Sequence, residues 1–313
     1  MKLLYLFIPF IIVESFDFES ITPKKPTHLA TCDKQGNVSF ARRVHGGSTV
    51  KDNSWSMAVQ LQTIHRGIVS YCGGTIISDN YILSAAHCCD EVDSITINFG
   101  SIIHRRKADF TILAEDWYVH EQYKDKSDRN PNNFDVCIIK SSQNIFTVAE
   151  SRCGKNCVSR ACLPSNPPVA GMHCWIAGWG AVSDNERDDN VGQLRQAGVN
   201  IFSRDYTLEH TYYRKIDVQK DEFCAGLPAK NGNEITPAGV DSCQGDSGGP
   251  LICEIDKTAV ISGVVSRGYG CAKAGYPGIY GNVFFYKEWI QSMIKPSESQ
   301  NECCVKNIDM SWT

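Results

Sequence analysis

The sequence predicts an all-β fold, and three observations carry that reading. Ser94-Ile95-Thr96-Ile97-Asn98-Phe99 alternates strictly between polar and apolar residues, the period of a strand with one face in a core and one toward water. Residues 259–266 form a continuous Val- and Ile-rich run, as a strand buried on both faces requires. From residue 44 onward, clusters of Gly and Asn/Asp punctuate short apolar stretches, so the chain reads as strands separated by turns. One exception stands near the end. Phe285, Trp289, Ile290, Met293 and Ile294 fall at helical spacing and predict a single amphipathic helix.

Taken in order, the 313 residues divide into four parts. Met1-Lys2 and the 11-residue apolar run 3–13 read as a secretory signal peptide ending near Ser15. That run is too short to cross a bilayer, and no other segment reaches spanning length. Residues 16–43 are polar, carry Pro23 and Pro26, and show no sustained period; they read as a pro-segment closed by Arg42-Arg43. Within it, Asn37-Val38-Ser39 is the sole glycosylation sequon. Residues 44–295 hold the main domain, with no internal repeat. Residues 296–313 form a polar tail containing Cys303-Cys304, of a composition that builds no core. The length allows one large or two medium domains. A net charge of −4 gives no case for a nucleic-acid partner. Fifteen cysteines agree with export into an oxidising compartment. The expectation is a secreted, extracellular protein with no membrane span.

Chemistry enters at Asp241-Ser242-Cys243-Gln244-Gly245-Asp246-Ser247-Gly248-Gly249-Pro250. A serine hydroxyl becomes a useful nucleophile only when a base takes its proton and backbone N–H groups receive the oxyanion it generates. Small residues around Ser247 allow the sharp turn that such donors need. Ser84-Ala85-Ala86-His87-Cys88 supplies a base candidate. Asn132-Asn133-Phe134-Asp135-Val136-Cys137 supplies a carboxylate leading into an apolar strand, where a charge is expensive unless paired. An imidazole N–H would pair it and set the tautomer of His87. Each residue alone has a blander reading: a Gly-rich turn, a satisfied core histidine, a turn aspartate opening a strand. His120 in Tyr118-Val119-His120-Glu121 belongs to no such arrangement and reads as structural or surface.

With the order His, Asp, Ser, the chain resembles the trypsin-like serine peptidases of the chymotrypsin family. The resemblance runs from Val44 to about Ile294. It rests on Val44-His45-Gly46-Gly47, Cys72-Gly73-Gly74-Thr75, Ala85-Ala86-His87-Cys88, the Asp135 segment, Ala177-Gly178-Trp179-Gly180, the Ser247 segment and Pro277-Gly278-Ile279-Tyr280. It implies two antiparallel β-barrels with the active site in the cleft between them, His87 and Asp135 on the first and Ser247 on the second, and a C-terminal helix. It implies that Ser247 is the nucleophile, His87 the general base and then acid, and Asp135 the orienter. The N–H groups of Gly245 and Ser247 would form the oxyanion hole. Cleavage after Arg43 would free the ammonium of Val44 to pair with Asp246, although His45 stands where an apolar residue is commoner. Asp241 would floor the pocket for a substrate Arg or Lys, Gly268 and Gly278 would leave its walls open, and Ser242, Ser266 and Tyr280 match neighbouring positions.

Two departures bear on specificity. Arg267 stands where relatives generally carry a tryptophan; it either pairs acidic substrate residues a few positions before the cleaved bond or swings into solvent. His104-Arg105-Arg106-Lys107 occupies the loop in which trypsins place calcium ligands and offers few oxygen donors, so no calcium, no other metal and no cofactor is expected. That cluster either docks an acidic partner or is a solvated loop.

The resemblance pairs Cys72 with Cys88, Cys174 with Cys253 and Cys243 with Cys271, and likens Cys32 and Cys162 to the link that retains a cut pro-segment. If His87 and Asp135 touch, Cys89 and Cys137, each two residues further on, lie near one another and should also bond. Cys153, Cys157, Cys224, Cys303 and Cys304 remain, and Tyr206 stands at the position of the usual partner of Cys224. An odd remainder implies a free thiol or an intermolecular bridge, which leaves a disulfide-linked dimer open. The expected partners are protein or peptide substrates, with a proteinaceous inhibitor also open. The leading reading is a secreted zymogen of an endopeptidase cutting after Arg or Lys through an acyl-enzyme; the alternative is a catalytically silent binding or cofactor module on the same fold.

Overall fold

Alternating burial and turn chemistry account for the architecture, seen in a computed structural model that describes residues 54–100, 108–123, 134–154, 157–181, 194–227 and 241–294, with the backbone of three short strands before them. Those three are β1 (His28–Ala30), β2 (Asn37–Ser39) and β3 (Ser48–Thr49). Six more follow: β4 (Ala58–His65), β5 (Ile68–Ile76), β6 (Tyr81–Ser84), β7 (Ser94–Phe99), β8 (Phe110–Val119) and β9 (Cys137–Ser141). They pair antiparallel in the order β4-β5-β6-β9-β8-β7 and close through β4 and β7. The alternation read in the sequence places Ile95, Ile97 and Phe99 in the core, with their neighbours half-buried. Arg66 (φ 49°) and Gly67 (φ 80°) join β4 to β5 in a two-residue loop between His65 and Ile68. Both take left-handed dihedrals, the turn whose twist matches the flanking strands.

A short helix, α1 (Ile145–Arg152), leaves this barrel, its N-terminus capped by Asn144 Oδ1 accepting from the Thr147 N–H at 2.9 Å. The second half contains β10 (His173–Gly178), β11 (Arg195–Ile201), α2 (Arg204–His210), β12 (Glu222–Gly226), β13 (Pro250–Ile255), β14 (Thr258–Arg267), β15 (Gly278–Asn282) and α3 (Lys287–Met293). Its strands run in the order β13-β10-β11-β12-β15-β14 and close through β13 and β14, a second six-stranded antiparallel barrel. All of residues 259–266 within β14 are buried, as the continuous apolar run requires. α2 is capped by Ser203, whose Oγ accepts from the Tyr206 N–H at 3.0 Å. Neither α1 nor α2 was read from the sequence.

The terminal helix is shorter than expected. Asn282 Oδ1 accepts from the N–H groups of Phe284 and Phe285, at 3.1 and 3.4 Å, and holds that stretch in a turn. Phe285 is therefore 48% exposed, while Ile290 and Ile294 are buried. Through Ile290 and Tyr286, this last segment packs into the cluster that fills the first barrel and reaches Trp175, Ile252 and Val264 of the second. The second barrel has its own core around Ile176, Val199, Phe223, Leu251 and Tyr280. The barrels are thus fused along one apolar seam.

The N-terminal strands add to the second barrel. β1 and β2 form a hairpin, and β1 lies parallel beside β14 through Ala30 and Thr258; β3 pairs with β11. β1 and β2, at three residues each, are too short to display a sequence period. Disulfides join Cys72 to Cys88, Cys89 to Cys137, Cys153 to Cys157, Cys174 to Cys253 and Cys243 to Cys271. The Cys153–Cys157 bond, left open by the sequence, staples the end of α1. Cys162 is disulfide-bonded, and Cys32 lies outside the described residues. So do the expected signal peptide, the Arg43–Val44 bond, the 104–107 cluster and the tail with Cys303 and Cys304. Among the described residues no helix is long and apolar enough to cross a membrane.

Candidate active site

His87 is carried by a single 3-10 turn, Ala86–Cys88, directly after β6. Ala85 and Ala86 are fully buried, which presses this turn into the barrel and leaves the imidazole as its reaching group, with a side chain 23% exposed. Disulfides from Cys88 to β5 and from Cys89 to β9 fasten both ends. Asp135 is buried just before β9. Its carboxylate accepts from His87 Nδ1 at 2.9 and 3.1 Å, from the His87 backbone N–H at 3.0 Å and from Ser266 Oγ at 2.6 Å. Burial works to raise its pKa, but the adjoining imidazole and these hydrogen bonds outweigh burial and hold it below the ordinary value. With the proton on Nδ1 fixed by the carboxylate, Nε2 is left as the acceptor.

The residue before Asp135 is held from the other barrel. Phe134 has a left-handed φ of 61°, uncommon for an aromatic residue. Its N–H donates to Asp221 Oδ2 at 2.9 Å, and Asp221 also accepts from the Tyr286 hydroxyl. The sequence reading took residues 221–226 only for Cys224 and missed Asp221 and Glu222. The signal was present: adjacent acids opening a buried strand, the same pattern that singled out Asp135.

Ser247 reaches this turn from the second barrel. Its carbonyl accepts from the Gly73 N–H of β5 at 2.7 Å and lies 3.7 Å from the Cys88 sulfur. Gly248 has φ 77°, and a Cβ there would collide with Ser84 Oγ. Only glycine lets the loop approach so closely. Ser247 Oγ has no hydrogen bond to His87, and neither Gly245 nor Ser247 has an acceptor on its backbone N–H among the described residues. Those donors are unengaged beside the serine.

Asp246 lies behind this loop. Its Oδ1 accepts from the Gly180 N–H at 2.7 Å and its Oδ2 from the Cys243 N–H at 2.8 Å. A Cβ at Gly178 would overlap the carboxylate. No cation faces Asp246 among the described residues, and burial pushes its pKa up to about 6. Asp241 Oδ1 accepts from the Ser242 N–H at 2.8 Å, while Oδ2 is shielded from solvent and closes no hydrogen bond. Burial lifts this carboxyl to about 7, against the pull of the Ser242 and Ala272 N–H groups. A Cβ at Gly278 would sit 2.5 Å from Asp241 Oδ1, and one at Gly268 would sit 3.7 Å from Oδ2. Both glycines thus lie directly against the Asp241 carboxylate. The Ser266 hydroxyl is committed to Asp135.

Arg267 does not swing into solvent; its guanidinium turns inward onto Glu222, whose side chain is 2% exposed. Nη1 and Nη2 take one carboxylate oxygen each, with Nη2 to Oε2 at 2.9 Å, and Nη2 also donates to the Asp217 carbonyl at 2.9 Å. A planar guanidinium suits this bidentate pairing. Cys224 is buried and free, and Tyr206 packs in the same apolar cluster as Cys224, with Phe202. Burial raises the Cys224 thiol well above its ordinary pKa, which keeps it protonated. Among the described residues, one trio of metal-type donors converges, Cys72, His87 and Cys88. Its two sulfurs are bonded to each other, so the donor set does not fit a thiolate-bound ion.

Two fused barrels with this seam of residues define a trypsin-like serine endopeptidase, and the chain belongs to the trypsin family: the Trypsin family model matches residues 44–290. It is similar to Trypsin Blo t 3 of Blomia tropicalis, with 33% identity over 250 residues, covering 78% of this chain and 84% of that protein.

Proposed function

We propose that the protein is a secreted serine endopeptidase that cleaves after Arg or Lys through a Ser247-His87-Asp135 triad, made as a zymogen activated after Arg43. The observation that carries the basic-residue preference is the slot at Asp241. A shielded carboxylate oxygen with no partner, between two glycines, favours a long cationic side chain over any neutral one.

In this reading the three side chains act in turn. His87 Nε2 takes the Ser247 proton as Oγ bonds to the scissile carbonyl carbon, and the carbonyl oxygen becomes an oxyanion. The unengaged N–H groups of Gly245 and Ser247 receive it. Asp135 stabilises the imidazolium without taking its proton. The imidazolium then protonates the leaving amine as the C–N bond breaks, giving the acyl-enzyme. Water attacks next, with His87 again as base, and Ser247 is restored.

Export rests on the apolar leader at residues 3–13. Activation rests on the Arg42-Arg43 site and on Asp246, a carboxylate withdrawn from water without a cation. Cleavage would supply the Val44 ammonium. The test is the recombinant chain cut after Arg43 and assayed on Arg, Lys and Phe amides, with Ser247→Ala in parallel. Turnover of Arg and Lys amides, lost in Ser247→Ala, is expected. Equal turnover of Phe amides refutes the slot assignment, and an inactive cut chain refutes the triad.

A further inference from the structure

Asp135 sits at the centre of a tight backbone turn. The Val136 N–H donates to the Phe134 carbonyl at 2.8 Å and closes a three-residue turn around it. Where the Asp135 side chain points therefore depends on the backbone of Phe134. That residue takes a φ of 61°, where a bulky side chain is strained and persists only if its surroundings hold it. Its ring packs on His120, with centroids 4.8 Å apart, and meets the Tyr286 ring at 6.3 Å. Its N–H is taken from the second barrel, by Asp221 Oδ2 at 2.9 Å.

We propose that Asp221 is a positioning residue for catalysis: by holding the Phe134 N–H it aims the Asp135 carboxylate at His87. The assignment rests on the peptidase reading above. Asp221 is itself firmly placed. It is buried, and its carbonyl accepts from the Asn282 N–H at 2.8 Å. The next residue, Glu222, pairs with Gly281 of β15 through its backbone and with Arg267 through its side chain. The Tyr286 hydroxyl donates to the same Asp221 oxygen that receives the Phe134 N–H. One oxygen with two lone pairs serves both donors, so the task calls for an oxygen at that place rather than for a charge. Asp135 meets His87 Nδ1 at 2.9 and 3.1 Å. A misplacement of about 1 Å in such an arrangement can cost about a hundredfold in rate.

The test is a set of variants at position 221, cut after Arg43 and assayed on an Arg amide. Burst titration counts the active sites, so unfolded protein drops out of kcat. Asp221→Asn keeps the oxygen and loses the charge, and its kcat should match wild type. Asp221→Glu keeps the charge and displaces the oxygen, and Asp221→Ala removes both. Each of these two should lose about tenfold to a hundredfold in kcat with KM unchanged. Wild-type kcat in Asp221→Ala would mean that ring packing alone holds Phe134. An impaired Asp221→Asn beside an active Asp221→Glu would mean that charge is what counts. Either result overturns the proposal, as does a raised KM at unchanged kcat. The hydrogen-bonded Nδ1 proton of His87, read by NMR on isotope-labelled histidine and assigned with Asp135→Asn, reports the aim of Asp135 without turnover. It should survive in Asp221→Asn and vanish in Asp221→Ala. Its loss in Asp221→Ala with no turnover by wild type sinks the peptidase reading alone. Turnover by wild type, with signal and kcat both unchanged in Asp221→Ala, sinks the positioning role alone.

Discussion

Asp135 and Asp241 are two shielded carboxylates that titrate in opposite directions because their partners differ. Asp135 has an imidazole, a backbone N–H and a serine hydroxyl around it, and its pKa falls. Asp241 has one oxygen without any partner, and burial lifts its pKa from 3.8 to about 7. A cation in the slot favours the ionised form, so its binding should expel the proton. We therefore predict that a small amidinium inhibitor releases a proton when it binds near pH 6–7 and weakens progressively as pH falls below about 7. Calorimetry in buffers of different ionisation enthalpy measures the proton count. Asp241→Asn should abolish the release; a wild-type enzyme that binds amidinium without releasing a proton contradicts a raised Asp241. The stability sign is fixed by the same shift. Between about pH 4 and 7 the folded chain holds the Asp241 proton more tightly than the unfolded chain, so this site's contribution falls as pH rises.

At the scale of elements, the Arg267–Glu222 pair ties the end of β14 to the start of β12. Removing one partner of a buried pair strands the other charge, at a cost of about 3–5 kcal/mol, whereas replacing both by apolar groups is often neutral. Glu222→Gln should therefore lower the urea unfolding midpoint sharply, and the double variant Glu222→Met with Arg267→Trp should recover most of the loss. A single variant as stable as wild type would show that water, not Glu222, solvates Arg267. This pair also marks where sequence reading stopped. β7 and β14 were legible because alternation and continuous burial are local patterns longer than five residues. α1 buries only Ile145 and Ala149 and α2 only Thr207, so neither shows a periodic apolar face, and each rests on a single cap, Asn144 or Ser203. The direction of Arg267 depends on an acid 45 positions away, which no local pattern reports. Asp221 carried a local signal, as an acid opening a buried strand, but its target, Phe134, lies 87 positions distant and no local pattern names it.

For the molecule as a whole, two closed barrels were foreseen through resemblance, because closure depends on which distant strands pair and periodicity cannot supply that. The His87–Asp135 contact was legible before any fold was known, since a carboxylate leading into an apolar strand is costly unless something pairs with it. The remaining whole-molecule question is how the proposed cut after Arg43 would act on the loop at Ser247. Asp246 is the link. In the uncut chain, it is shielded from water, held by two N–H groups, and raised to about 6. Its ionised form is therefore a liability above that pH, and stability falls as pH rises through about 4 to 6. An ammonium from Val44 would reverse this by favouring the carboxylate, a gain present at neutral pH and lost as the carboxyl protonates. We predict that the chain cut after Arg43 melts at a higher temperature than the uncut chain at pH 7, by about 2–4 °C for each kcal/mol of pairing. The difference should shrink as pH falls toward 4 and vanish at every pH in Asp246→Asn. Thermal scans of cut and uncut protein across pH 4–8 measure this. An equal melting temperature at pH 7, or a gain that survives Asp246→Asn, would mean that the loop at Ser247 is ordered by something other than this pair.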